Sequence, residues 1–255
     1  MYAEERRQAM ADLIAQRGRL SVNELADAYT VTTETVRRDL SVLERAGIVR
    51  RVHGGAVPAD ALTVLETAVS DRDLAHTEQK DRIALAALAL LPPAGGSILL
   101  DAGTTTSRLA THLPLDQRFT VITHAVPIAA RLAGVAGVEL HLLPGKVRRT
   151  TQAAVGAQTV AALSLLRTDV VFMGTNGITS GHGLSTPDPE EASAKRAMIR
   201  AGQRVVALAD SSKVGREHTV RFADLEDIDV LVTDDGVSDQ DVKAFGDRGI
   251  EVVVA

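Results

Sequence analysis

Apolar residues recur at helical spacing through the first thirty residues, and this pattern predicts two helices followed by a turn. Residues 4–16 are amphipathic, and the glycine at position 18 closes that segment. Residues 21–24 read Ser-Val-Asn-Glu, a capping box that opens a second helix over 22–29. A short turn at 30–32 then leads into a third helix.

The third helix has an apolar stripe on one face and charged side chains on the other. Val36, Leu40 and Leu43 lie at i, i+4 and i+7 and face a small core. Thr32 or Thr33 supplies a capping hydroxyl at the start of the helix. The polar arc holds Glu34, Arg37, Arg38, Ser41 and Arg45. Three short helices in this order predict a helix-turn-helix.

A short basic hairpin is predicted directly after this helix. Gly47 stands where helices commonly end in a left-handed residue, and residues 48–52 alternate well enough for a strand. A helix-turn-helix followed by such a wing is typical of proteins that read double-stranded DNA, with the third helix in the major groove. The plainer alternative is that the paired arginine only solvates a helix face. The candidate DNA contacts are Thr33, Glu34, Thr35, Arg37, Arg38, Ser41, Arg50, Arg51 and His53.

From residue 77 onward, apolar strands alternate with amphipathic helices. A helix over 77–91 ends at the Pro-Pro-Ala-Gly-Gly run 92–96. The alternation predicts an α/β domain with a mostly parallel sheet and helices on both faces. Ligands of such folds bind outside the carboxyl ends of the strands. The predicted strands are 97–100, 120–123, 138–143, 169–173, 204–208, 230–233 and 251–254.

The first polar motif at a strand end is Asp-Ala-Gly-Thr-Thr-Thr-Ser at 101–107, which opens a helix. Glycine allows a tight turn, and successive amides with threonine hydroxyls at a helix N-terminus form an anion cradle. We interpret the motif as a phosphate site. A capped turn without a ligand is the alternative.

Three further motifs are expected at the same edge of the sheet. Residues 174–178 suit a turn that lines a pocket, and a plain turn fits as well. Glu191 and Lys195 are spaced i, i+4, so a surface ion pair is the alternative to a ligand role. Residues 208–213 offer a lysine to a phosphate and an aspartate to sugar hydroxyls. The candidate effector contacts are Asp101, Gly103, Thr104, Thr105, Thr106, Lys146, Gly174, Asn176, Gly177, Glu191, Lys195, Asp210 and Lys213.

The length of 255 residues accommodates a DNA-binding domain of about sixty residues and one further domain with a well-buried core. We expect a DNA-binding domain over 1–57, a linker arm over 58–76 and a sensor domain over 77–255. The absence of cysteine excludes disulfides and thiolate chemistry. We expect no cofactor, metal site or catalytic residue. No apolar run approaches a membrane span and the start lacks a signal peptide, so we expect no membrane partner and a cytoplasmic location.

The net charge of −5 is unevenly distributed. Residues 32–53 hold five arginines against three acidic residues, a local charge of +2, which leaves −7 for the remainder. A modest basic patch on an acidic body favours targeted docking over indiscriminate coating of DNA. Aromatic residues make up only 2% of the chain, which disfavours single-stranded nucleic acid as the target. One short recognition helix gains little specificity alone, so we expect a homodimer or homotetramer.

These motifs resemble the DeoR family of bacterial sugar-operon repressors. The runs 31–40, 43–47 and 51–56 are similar to its DNA-binding domain, with Thr32 in place of the usual serine. The later motifs are similar to its sensor domain, whose fold resembles ribose-5-phosphate isomerase; Lys146 and Thr175 replace the family's usual glycine and alanine. The resemblance implies an arm between the domains and a phosphorylated sugar as effector. The chain looks most like the fructose-operon subgroup of actinobacteria, which implies fructose 1-phosphate.

We therefore predict a transcriptional regulator, and more specifically a repressor, that responds to a sugar phosphate. One alternative is a sugar-phosphate isomerase with a DNA-binding extension, for which Asp188, Glu190 and Glu191 offer a general base. The sequence shows no paired acid at matching spacing for that chemistry. A second alternative is a sugar kinase using residues 101–106 as its phosphate loop. The remaining length of about 150 residues leaves little room for the second nucleotide-binding half of that fold.

Overall fold

The computed structural model describes residues 2–17, 20–52, 54–58, 69–114 and 116–255, and the chain divides into two compact units, 1–62 and 63–255. His53 and the stretch 59–68, which makes up most of the predicted linker, lie outside the described residues. None of the described helices combines the length and the apolar character that a membrane crossing requires.

The first unit combines three helices with a small antiparallel sheet. Its elements are α1 (Ala3–Arg17), β1 (Leu20–Ser21), α2 (Val22–Tyr29), α3 (Thr33–Arg45), β2 (Val49–Val52) and β3 (Gly55–Pro58). β3 lies between β1 and β2 and pairs antiparallel with both. The apolar stripe of α3 is buried as predicted, and Val36, Leu40 and Leu43 share one core with Met10 and Ile14 of α1.

Side-chain caps and one glycine set the helix ends of this unit. Ser21 and Glu24 form the predicted capping box: the Glu24 N–H donates to the Ser21 hydroxyl at 3.1 Å, and the Ser21 N–H donates to the Glu24 carboxylate at 2.8 Å. Thr32 caps α3 by accepting the Thr35 N–H at 3.3 Å. Gly47 has φ +68°, the left-handed conformation expected at the helix stop. The predicted helix-turn-helix and wing are therefore confirmed.

The second unit is a three-layer α/β domain. Its helices are α4 (Val69–Leu74), α5 (Thr77–Ala87), α6 (Thr104–Thr111), α7 (Val126–Leu132), α8 (Ala157–Ser164), α9 (Pro189–Ala201) and α10 (Asp239–Gly246). Its strands are β4 (Ser97–Leu100), β5 (Phe119–Thr123), β6 (Val138–Leu142), β7 (Lys146–Val147), β8 (Ala154–Val155), β9 (Thr168–Gly174), β10 (Gly177–Thr179), β11 (Gly183–Thr186), β12 (Gly202–Leu208), β13 (Val220–Ala223), β14 (Val230–Thr233) and β15 (Glu251–Val254).

All seven predicted strands lie in one sheet, with the order β15-β14-β12-β9-β4-β5-β6 and every neighbouring pair parallel. From β4 the chain builds outward through β5 and β6, and from β9 it builds in the opposite direction. The strand order therefore reverses between β4 and β9. The crevice outside the carboxyl ends of these two strands is a topological switch point, the usual ligand site of such sheets.

Alternate residues of the inner strands join cores on opposite faces of the sheet. Ile98 and Leu100 pack with α5, α6 and α7, whereas Leu99 lies in the core that includes α9 and α10. This two-sided burial explains why the five inner strands are largely apolar runs in the sequence, whereas the edge strands β6 and β15 are partly exposed. The α/β class with helices on both faces is confirmed.

Two regions differ from the prediction. Residues 69–76, expected in the linker, include α4 and pack on the second unit, where the Val69 N–H donates to the Thr150 carbonyl at 2.9 Å. Where the sequence predicted only a turn at 174–178, the structure has the hairpin β10–β11, which pairs with β13 in a second, antiparallel sheet. These strands are short and begin with glycine, so no alternation reveals them.

Candidate functional site

The exposed face of α3 presents the predicted arginine pair. Arg37 and Arg38 are both exposed, and a nitrogen of Arg37 lies 3.7 Å from the carboxylate of the exposed Glu34. Thr33 and Thr35 are half-buried beside the helix start. An ion pair this exposed contributes little, so Arg37 gives it up at small cost when a phosphate or base edge is offered.

An acidic residue that the sequence did not single out holds this helix in place. Asp39 is buried, and its carboxylate accepts from Arg6 at 2.8 Å and lies 4.0 Å from Arg7. Both arginines are on α1. The contact therefore fixes how α3 packs on α1 and turns Arg38, the preceding residue, toward solvent.

The wing is tied to the same helix. The Arg51 N–H donates to the Glu44 carboxylate at 3.0 Å, and the Arg51 guanidinium donates to the Ser41 hydroxyl at 3.0 Å. The Ser41 hydroxyl in turn donates to the Arg37 carbonyl at 2.8 Å. Arg50 is half-buried on β2. Arg51 of the wing and Arg37 of the recognition helix are thus linked through Ser41 within the first unit.

The second unit has a cleft at the switch point. Its volume is about 520 Å³, including space open to solvent. It lies outside β4, β9 and β12, and most of the predicted effector residues line it. The lining residues are Arg72, Lys80, Ala102, Gly103, Thr104, Thr105, Thr106, Thr151, Gly174, Thr175, Asn176, Glu191, Lys195, Leu208, Ala209, Asp210 and Lys213.

The N-terminus of α6 forms one wall of the cleft. Gly103 is the N-cap and has no side chain to satisfy the first amides of the helix. Its added Cβ would lie 3.2 Å from the Thr106 hydroxyl, which donates to the Gly103 carbonyl at 3.0 Å. The amides of Thr104 and Thr105 and the positive end of the helix dipole remain for an anion.

Asp101 does not line the cleft but anchors a lysine that does. Its buried carboxylate contacts the Lys195 ammonium, accepts the Gly174 N–H at 2.9 Å and lies 3.0 Å from Nε2 of His124. Burial raises the pKa of Asp101, but the Lys195 charge and the contacts with His124 outweigh it and lower the pKa to about 2. Asp101 is therefore a positioning group.

Glu191 and Lys195 do not form the surface ion pair that their spacing allowed. Both side chains are buried, and each has another partner. Glu191 lies 2.7 Å from a guanidinium nitrogen of Arg148, which also reaches Asp188 at 3.2 Å. Lys195 bonds to Asp101 and donates to the Gly174 carbonyl at 2.9 Å. The charges of both cleft residues are therefore already matched.

Lys213 and Asp210 line the cleft from the turn after β12. Asp210 caps this turn by accepting the Ser212 N–H at 3.1 Å. Burial lowers the pKa of Lys213, because its ammonium is removed from water. Over the part of the chain that the structure describes, this ammonium makes no hydrogen bond or ion pair. It is available to an anion.

Three cleft residues were missed by the sequence analysis: Arg72, Lys80 and Thr151. Arg72 lies in the predicted linker, Lys80 inside a predicted amphipathic helix, and Thr151 between the short strands β7 and β8. No local motif marks any of them. The Nε of Arg72 and the hydroxyl of Thr151 are buried and have no hydrogen-bond partner among the described residues.

Besides Asp101, two further predicted effector residues lie outside the cleft. Lys146 is exposed on β7, and its ammonium lies 3.4 Å from the carboxylate of Glu190. Gly177 begins β10, where an added Cβ would lie 2.3 Å from the carbonyl oxygen of Arg216. Glycine is therefore needed at position 177 so that the backbone of β10 can approach the backbone of Arg216. Among the described residues, no group of three or more histidine, aspartate or glutamate side chains is placed to hold a metal ion.

Family models match both units. A DeoR-like helix-turn-helix domain matches residues 6–61, and the DeoR C terminal sensor domain matches residues 75–235. Among solved structures, ribose 5-phosphate isomerase A from Neisseria gonorrhoeae aligns with a TM-score of 0.36 and 16% sequence identity, over 56% of this chain and 54% of that chain.

Full-length relatives give the same assignment. A putative aga operon transcriptional repressor of Escherichia coli O157:H7 is 33% identical, over 98% of this chain and 93% of the relative. The HTH-type transcriptional regulator GlpR of Haloferax volcanii is 34% identical, over 99% of this chain and 98% of the relative. These matches do not support the isomerase and kinase alternatives. The chain belongs to the DeoR family of helix-turn-helix transcriptional regulators.

Proposed function

We propose that this regulator represses a sugar-utilisation operon and releases its operator when a phosphorylated sugar fills the cleft. The charge of the cleft supports this most directly. Lys195 is neutralised by Asp101 and Glu191 by Arg148, which leaves Arg72, Lys80 and Lys213 against Asp210. That surplus of two positive charges matches a phosphate monoester, which carries about −1.5 to −2 at pH 7.

The donors and acceptors that line the cleft suit the two parts of such a ligand. The amides of α6 and the Lys213 ammonium bind phosphate oxygens, while Asp210 and Asn176 accept or donate hydrogen bonds to sugar hydroxyls. Fructose 1-phosphate, implied by the sequence resemblance, is one candidate of this class. The name of the Escherichia coli relative, an aga operon repressor, supports an operon-specific repressor.

For the DNA we propose that Arg37 and Arg38 read base edges and that Arg50 and Arg51 contact phosphates. Thr33, Glu34, Thr35, Ser41 and His53 complete the proposed contact surface. Because one recognition helix reads only a few base pairs, we propose a homodimer or homotetramer that places two helices on a symmetric operator. Operator binding places the protein with the chromosome, so we propose a cytoplasmic location.

Fluorescence anisotropy tests the proposal. Operator duplexes are first selected from a random DNA library with the full-length protein. Fructose 1-phosphate, glucose 6-phosphate and glycerol 3-phosphate are then titrated against the complex, with each unphosphorylated compound as its control. We expect one sugar phosphate to weaken binding at least tenfold, and Lys213→Ala to lose the response. Lys243→Ala, an exposed lysine on α10, retains it. A complex that responds to no member of the panel contradicts the proposed effector class.

A further inference from the structure

We propose that Arg72 and Lys80 couple the cleft to α4. In this mechanism the anionic group of the effector binds the Arg72 guanidinium and draws the Lys80 ammonium away from the carbonyls it now holds, so that α4 loosens when the cleft fills. The inference rests on the proposed function, because it requires an anion in the cleft.

The position of α4 in the chain explains how the coupling can affect DNA binding. α4 is the first described element of the second unit and follows β3 after residues 59–68. Any change in α4 is therefore transmitted along the shortest covalent path to the DNA-binding unit. Among the helices that the structure describes in the second unit, none lies closer in sequence to the DNA-binding unit.

The first observation is the state of Arg72. It lies on α4 and lines the cleft, and its Nε is buried without a partner among the described residues. Thr151, only 5% exposed, lines the same cleft with an equally unpartnered hydroxyl. Buried polar atoms are nearly always hydrogen-bonded, so two exceptions in one cleft indicate a ligand that supplies acceptors there.

The second observation is the state of Lys80. It lies on α5, is 3% exposed, and its ammonium donates to the carbonyls of Arg72 and of Ala75, the latter at 2.6 Å. These two bonds close the connection between α4 and α5. Both partners are neutral, and burial lowers the pKa of Lys80 to about 8. A phosphate oxygen offers this buried charge a stronger, charge-assisted hydrogen bond than a carbonyl does.

The remaining contacts of α4 limit what the exchange does. The Val69 N–H stays bonded to the Thr150 carbonyl, and Asp73 stays paired with Arg108. Arg108 also lies 2.9 Å from the Asp81 carboxylate on α5. These contacts do not involve Lys80. We therefore expect α4 to loosen locally while the second unit remains folded.

Hydrogen exchange of the full-length protein with inorganic phosphate as the probe tests the coupling. In the wild type, saturating phosphate is expected to speed amide exchange in residues 70–76 about tenfold, relative to the same ionic strength of chloride. In Lys80→Met the same amides exchange fast without phosphate, and phosphate changes them less than about twofold. Arg82→Gln, which alters an exposed α5 arginine paired with Asp235, is the matched control and behaves as the wild type.

Calorimetric titration of phosphate supplies the second measurement. Arg72→Gln is expected to weaken phosphate binding about tenfold or more, and Arg72→Lys to restore part of it because the charge returns. These variants decide the matter if Lys80→Met does not fold. The coupling is overturned if Arg72→Gln does not weaken phosphate binding, or if phosphate leaves the amide exchange rates of residues 70–76 unchanged in the wild type. Either result leaves the proposed effector class standing. A wild type that binds neither phosphate nor any sugar phosphate overturns both.

Discussion

Buried charged residues of the second unit affect its stability through the partners that neutralise them, and Asp101 is the main example. Its fully buried carboxylate is shared by Lys195, His124 and the Gly174 amide. Asp101→Asn removes the negative charge and leaves the Lys195 ammonium buried without an ionic partner. We expect a loss of about 3 kcal/mol in the free energy of unfolding, measured with urea. Asp235→Asn, which breaks an exposed ion pair, should cost less than about 1 kcal/mol.

The pKa of Asp101 predicts how the loss of unfolding free energy in Asp101→Asn depends on pH. The pKa of Asp101 is about 2 in the folded protein, against an ordinary value of 3.8. Its ionised form therefore contributes stability above about pH 4, and that contribution disappears as the pH falls toward 2. The difference in unfolding free energy between wild type and Asp101→Asn should shrink by roughly 2 kcal/mol over this interval. Equal losses in the two variants, or a difference that does not change with pH, would contradict this role.

Local sequence predicted residues whose chemistry follows from their neighbours in the chain. Thr104, Thr105 and Lys213 belong to motifs that end a strand, and the cleft contains them. Arg72 and Thr151 could not be found that way, because only the tertiary fold brings their segments to the switch point. Lys146 follows the end of β6 in the chain, but the structure places it on β7, exposed to solvent and outside the cleft.

Among the elements, the wing sheet depends on one close approach of backbones. A Cβ added to Gly55 on β3 would lie 2.1 Å from the carbonyl oxygen of Leu20 on β1. The obstacle is backbone, so Gly55→Ala must open the β1–β3 pairing. We expect the first unit to lose about 2–4 kcal/mol of stability and the second to be unchanged, as resolved by scanning calorimetry. Gly134→Ala, with no atom within 4 Å, is the control, and similar behaviour of the two variants would contradict the steric argument.

The recognition helix predicts a separable effect on DNA. Arg38 is exposed on α3, next to the buried Asp39 that fixes the helix on α1. Arg38→Ala should reduce discrimination between operator and random duplex by about 1–3 kcal/mol without changing stability. Competition anisotropy with both duplexes measures this. Arg17→Ala, at the exposed end of α1, is the matched control; full selectivity in Arg38→Ala would exclude base reading by this residue.

Elements with strong periodicity or caps were predictable, and those stabilised only by tertiary contacts were not. The five inner strands of the parallel sheet are mostly buried on both faces, so each is a largely apolar run between turn residues. The edge strands β6 and β15 are partly exposed and were marked by their valines and leucines. The capping box at Ser21 and the glycine stop at Gly47 fixed helix ends in the same way. α4 has only six residues, too few for a helix to be stable alone, so its helical state depends on contacts from α5 and α6.

For the whole molecule, the DNA-binding surface and the cleft lie on different compact units, so regulation is a coupling free energy between two sites. A swing from 1:99 to 99:1 in operator occupancy requires about 10⁴-fold tighter effector binding to the DNA-incompetent state. Neither unit alone can supply that preference. The coupling therefore has to pass through the chain that joins them, or through the contacts of an oligomer.

Thermodynamic linkage makes this requirement measurable without knowledge of the path. If a sugar phosphate weakens operator binding by some factor, operator DNA must weaken sugar-phosphate binding by the same factor. We expect calorimetric titrations of the full-length protein, with and without saturating operator, to give dissociation constants that differ by the factor seen in anisotropy. Lys213→Ala should weaken sugar-phosphate binding in both titrations, since the residue belongs to the cleft and not to the path. If sugar phosphate binds the free protein and the operator complex equally, yet operator binding weakens, the phosphate competes with DNA at the arginine surface and the cleft is not the sensor.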